Sequence, residues 1–151
     1  MLAEAPSFEA TEVASAAGPG EVVLHFARPL IGFEQSARYG LRSLGAQYEP
    51  YAALVSLDEP DVRFVVVPPG AVFSDYVIEI PSADRRLLGL EHADDVAVLA
   101  IVRRHGVPSP MANLMGPLVI NRRTQVAAQV VLQDSDYGVM VPVDAGTARP
   151  R

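Results

Sequence analysis

A chain of 151 residues, half of them hydrophobic, is long enough for one domain with a buried core. Its formal charge of −6 argues against a nucleic-acid interface built on phosphate neutralisation and suits a basic protein partner. It has no cysteine, which excludes disulfides, thiolate metal sites and a cysteine nucleophile, and no lysine, which excludes Schiff-base chemistry.

Thirteen prolines and eleven glycines spread along the chain predict short elements and many turns. Residues 1–20 are rich in Ala, Ser, Glu and Gly without periodicity, and read as a flexible lead-in. No basic flank precedes a long apolar core there, so no signal peptide is read, and a cytoplasmic location is expected. Residues 21–26 form the first strand, followed by a Pro/Gly turn through Pro29 and Gly32. Residues 38–44 alternate, with Tyr39 and Leu41 on one face and Arg38 and Arg42 on the other.

Residues 51–57 and 62–67 flank Asp58-Glu59-Pro60-Asp61 and read as a hairpin. Residues 76–80 read as another strand, stopped by Pro81. Ser82 can cap a short helix over residues 83–88 that Gly89 ends, with Asp84 placed to suit its dipole. Residues 96–102 (VAVLAIV) are β-branched and continuously apolar, as a strand buried on both faces would be, and too few to span a bilayer, which takes roughly 20. Residues 113–121 and 125–133 form a second hairpin around Arg122-Arg123-Thr124, and residues 138–143 a last short strand. The expected fold is mainly β: one antiparallel, barrel-like domain over residues 21–143 with one or two short helices and a flexible tail at 144–151.

The search for chemistry is nearly empty. His25, His92 and His105 show no metal-binding spacing, and His92 with Asp94 and Asp95 is the one local cluster that could hold a metal or move a proton. A polar turn entering the next strand explains the same residues. Asp134-Ser135-Asp136-Tyr137-Gly138 resembles a calcium loop only in part, since its glycine comes one position early and Ala145 stands where a bidentate Glu belongs. Arg103-Arg104 and Arg122-Arg123 read as a strand end and a solvated turn. No phosphate loop, dinucleotide fingerprint or nucleophile elbow is present. No catalytic residue, metal or cofactor is assigned.

A series of short motifs in fixed order does stand out. Phe26-x-x-Pro29-Leu30-Ile31-Gly32-Phe33-Glu34 is followed by Pro50-Tyr51-Ala52-x-Leu54-x-Ser56-x-Asp58-x-Pro60 and Phe64-x-Val66-x-Pro68. Phe73-x-Asp75-Tyr76 and Asp94-Asp95-Val96-x-Val98-Leu99 come next, then Asn113-Leu114-x-x-Pro117-Leu118-Val119-Ile120-Asn121, Gln129-Val130-Val131-Leu132 and Asp134-Ser135-x-Tyr137. In this order and spacing, from about residue 21 to 142, the chain resembles the FliW family. Departures are Pro-Leu-Ile before Gly32, Tyr51-Ala52-Ala53 where an aromatic pair is usual, and Gly116-Pro117-Leu118 in the late motif.

The resemblance implies a non-catalytic, barrel-like protein, monomeric when free, that binds flagellin in the cytoplasm. Once flagellin is exported, the freed protein would bind the translational repressor CsrA and relieve repression of flagellin mRNA. Direct nucleic-acid and membrane binding are not expected. Within the motifs, Glu34, Asp58, Asp75, Tyr76, Asp134 and Tyr137 are the expected exposed contact residues, the Asp/Tyr pairs foremost because tyrosine joins contact area to a polar tip. Sheet-edge pairing with an extended partner segment is a second route. Asn113, Asn121 and Gln129 are expected to bond backbone at strand ends.

Overall fold

The computed structural model describes residues 21–133 and 135–148. Four strands come first in a meander: β1 (Val22–Phe26), β2 (Arg38–Ser43), β3 (Ala52–Ser56) and β4 (Arg63–Val67). After helix α1 (Ser82–Leu88) follow β5 (Val96–Arg103), β6 (Met111–Ala112), β7 (Leu118–Asn121), β8 (Val126–Gln129) and β9 (Val141–Pro142). The order β4-β3-β2-β1-β8-β7-β5 returns to β4 through a β4–β5 pairing, giving a closed seven-stranded barrel, while β6 and β9 extend the sheet beyond β5. Closure removes the exposed edges an open sheet of this size would carry.

The antiparallel expectation holds for every pair but one. β1 lies parallel to β8, with His25 opposite Val126 and Phe26 opposite Ala127. A parallel pair needs a long connection. Here all the chain between β1 and β8 serves as that connection, so no crossover helix is required.

Strand alternation sorts the side chains into two cores. One face fills the barrel: Val22, Leu24 and Phe26 from β1, Tyr39 and Leu41 from β2, Leu54 from β3, Val66 from β4, Ala97 and Leu99 from β5, Leu118 and Ile120 from β7. The ring of Phe26 meets Tyr39 edge-on at 5.0 Å between centroids. The other face of β5, β7 and β8 presents Val96, Val98, Ala100, Val119 and Ala128 to a second core. The continuous apolar run of β5 therefore is buried on both faces, as its composition predicts.

That second core is covered by the connection between β4 and β5. Phe73, Tyr76, Ile78, Ile80 and Leu88 are buried along it. Residues 76–80 are extended but pair with no strand, which corrects the strand expected there. Period-two burial, with Val77 and Glu79 outward, reflects an extended segment lying on the sheet and not a rung of it.

Helix α1 also differs in detail. Pro81, not Ser82, occupies the cap position, and no side chain caps the helix. The Ser82 hydroxyl instead accepts from Arg85 at 3.0 Å. The stop is as expected: Gly89 adopts φ 65°, and the amides of Gly89 and Leu90 donate to the carbonyls of Arg86 and Arg85. Late strands are shorter than read, β8 ending at Gln129 and β9 spanning two residues. Residues 144–148 are not a loose tail. Asp75 accepts the amide of Ala148 at 2.6 Å and the Thr147 hydroxyl at 3.0 Å, and Ala148 is buried. No helix among the described residues is long and apolar enough to cross a membrane.

Candidate partner-binding surface

Five of the six expected contact residues lie among the described residues, in two groups. Glu34 and Asp58 stand on neighbouring loops, the first after β1 and the second after β3. Asp58 accepts the amides of Ala37 and Arg38 at 2.8 and 2.9 Å and pairs with the Arg38 guanidinium at 3.1 Å. The Arg38 and Ala37 amides, then the guanidinium, hold its carboxyl below the ordinary carboxylate range. Glu34 accepts the Gly32 amide at 2.6 Å and makes no ion pair among the described residues. Nearby Ser36 donates to Glu59 at 2.5 Å and accepts from buried Ser56 at 2.8 Å, so the two loops are bonded to each other. Ile31, 77% exposed, and Phe33 stand beside them.

Asp75, Tyr76 and Tyr137 form the second group, and the two tyrosines are not exposed. Each is only 5% accessible, and their rings pack at 4.6 Å between centroids. Tyr76 donates to the Leu114 carbonyl at 2.7 Å. The Tyr137 hydroxyl accepts the amide of Val77 and donates to its carbonyl, both at 2.8 Å. Burial, with the neighbouring Tyr137, pushes the Tyr76 hydroxyl well above its usual range. These tyrosines staple the covering segment to the barrel, and buried aromatics with a polar tip do this as readily as they make interfaces. Asp134 lies outside the described residues.

Asn113, Asn121 and Gln129 do bond backbone. Asn121, fully buried, donates to Leu88 O at 2.8 Å and accepts the Arg123 amide at 2.9 Å. Asn113 accepts the Gly116 amide, and Gln129 donates to the Gly116 carbonyl, both at 3.0 Å. The His92 cluster is similarly occupied. Asp95 accepts the amide of His92 at 3.2 Å and the Arg123 guanidinium at 3.1 Å. Burial works to raise its carboxyl, yet the His92 amide, Arg123 and the Glu91 amide together bring it below the ordinary range. No group of three metal-ligating side chains assembles among the described residues.

One feature escapes the sequence. Between residues 77–82 on one side and 131–133 and 135–137 on the other lies a groove of about 700 Å³ lined by Val77, Glu79, Arg85, Val131, Gln133 and Asp136. Its size falls in the range of ligand pockets. The only signal for it was the period-two pattern of residues 76–80, which reads as a paired strand.

These features define a class: a small closed β-barrel with an outer covering segment, whose surface offers loops and a groove. Comparison narrows the class. The FliW protein family model matches residues 7–143. The flagellar assembly factor FliW of Natranaerobius thermophilus is 34% identical over 129 residues, covering 83% of this chain and 85% of that protein. Its counterpart in Bacillus subtilis is 29% identical over 124 residues, covering 82% and 86%. A crystal structure of the flagellar assembly factor FliW superposes with a TM-score of 0.73 at 26% identity, over 80% of this chain and 84% of that one. The chain belongs to the FliW family.

Proposed function

We propose that this protein is a flagellar assembly factor that works by protein recognition and not by catalysis. It binds flagellin in the cytoplasm; when flagellin is exported, the freed protein binds and antagonises CsrA, relieving repression of flagellin mRNA. The observation that carries this reading is family membership across residues 7–143. The charge of −6 supports it, because an acidic surface favours encounter with a basic RNA-binding repressor. Glu34 and its exposed neighbours Ile31 and Phe33 offer one contact patch, with Asp58 holding the adjacent loop in place, while Asp75 holds residues 147 and 148. Tyr76, Tyr137 and Asp134 contribute through the segments they belong to.

Capture of flagellin and CsrA from the same organism by the purified full chain tests the reading. Binding of both, in competition, is the expected result. Failure of well-folded protein to bind either one sinks it. A reporter carrying the CsrA target on its mRNA separates regulation from escort: derepression on adding this protein supports regulation, and unchanged output with intact flagellin binding supports an escort without a translational role.

A further inference from the structure

The groove has the backbone chemistry of a missing strand. In extended chain, the amide and carbonyl of alternate residues point to the same side. Val77 turns both toward the Tyr137 hydroxyl, so Glu79, two residues on, turns its own pair toward the same wall. On the opposite wall, the amides of Val130 and Leu132 donate to Pro117 and Met115. Val131, between them, therefore faces the other way, into the groove, while Gln133 enters the turn that the Ser135 amide closes on the Leu132 carbonyl. Among the described residues, the amides of Ile78, Glu79, Ile80, Val131 and Gln133 make no hydrogen bond.

One end of the slot is braced. Tyr137 ties the walls at Val77. Outside the residues that line the slot, Arg28 links Asp84 at 2.6 Å to the Gln129 carbonyl at 3.1 Å. The walls are thus tied to each other at Val77, with unpaired amides along the rest of the slot.

We infer that this slot accepts a short extended segment of a basic partner as an added β-strand. The span from Val77 to Pro81 matches about four residues at roughly 3.3 Å each. Inward side chains of the guest would meet Ile80 and Leu132 and should be aliphatic. Outward ones would pass Glu79 and Asp136, whose carboxylates make no ion pair or hydrogen bond among the described residues, and should include Lys or Arg. Backbone pairing supplies the affinity and the alternate pockets the selectivity.

The inference concerns the slot, and stands whether or not flagellin or CsrA proves to be the guest. Amide exchange of the full chain, followed by NMR while acetyl-Val-Lys-Val-Arg-Val-amide is titrated in, tests it. The amides of Glu79 and Val131 are expected to slow. Val131→Pro removes a donor that is unpaired in the free protein but also fixes φ; with an unchanged melting temperature as its control, it should weaken the peptide by about three- to tenfold, the weight of one hydrogen bond. Glu79→Arg should weaken it while leaving the melting temperature unchanged. No slowing at millimolar peptide overturns the proposal, as does equal binding of the peptide with proline at its centre. Protection already present without peptide also overturns it: if dependent on protein concentration, a second copy fills the slot; if lost on deleting residues 1–20, the chain's own lead does.

Discussion

Asn121 shows how much one side chain can hold. It lies at the end of β7, fully buried, and its amide donates to the last carbonyls of α1 while its oxygen accepts from the Arg122–Arg123 turn. Asn121→Ala leaves those groups without partners and should cost about 1–3 kcal/mol in urea unfolding. The two depressed carboxyls make a further claim. Asp58 and Asp95 have folded pKa values below their unfolded ones, so their stabilisation is complete above the unfolded value of about 4. It is lost as pH falls through the folded values. The urea midpoint should therefore drop between pH 6 and pH 3, and drop less in the double variant Asp58→Asn, Asp95→Asn. Tyr76 and Tyr137 mark the limit of reading residues in isolation. An Asp-Tyr pair beside a turn looks like surface, but only the packed structure shows both rings turned inward.

At the level of elements, β5 carries both cores. Leu99 faces the barrel and Val98 the outer layer, each almost fully buried. Leu99→Ala should cost about 2–5 kcal/mol, by lost transfer energy and a cavity in the barrel, with a lower thermal midpoint as the readout. This strand was legible because an unbroken apolar run has no solvent face to offer. The 51–57 and 62–67 hairpin was legible because its loop is dense in Asp and Pro, and it forms β3 and β4 with Leu54 opposite Phe64. Residues 76–80 were misread for a physical reason: alternation reports an extended, half-buried chain and says nothing about whether its amides find a ladder. The groove follows from that ambiguity, since its walls are extended segments without rungs. The helix stop at Gly89 was visible because a positive φ selects for glycine, whereas its start depends on the turn that Pro81 makes.

The whole molecule couples a closed barrel to an acidic surface. Charge acts over about a Debye length, near 10 Å at 0.1 M salt, so CsrA capture should weaken between 50 and about 300 mM salt. A flat response would make the net charge of −6 incidental to binding. The barrel itself resists salt, since its cohesion comes from buried aliphatic faces. Its closure, however, has a consequence in time. The parallel seam joins β1, near the start of the chain, to β8, near its end. A nascent chain that has emerged only through β4 holds a four-strand meander with two raw edges, and the outer edge of β1 has no partner until β8, which ends at residue 129, has left the ribosome. At the β4 stage both outer edges of the meander present unpaired amides and carbonyls, the feature by which open sheets associate.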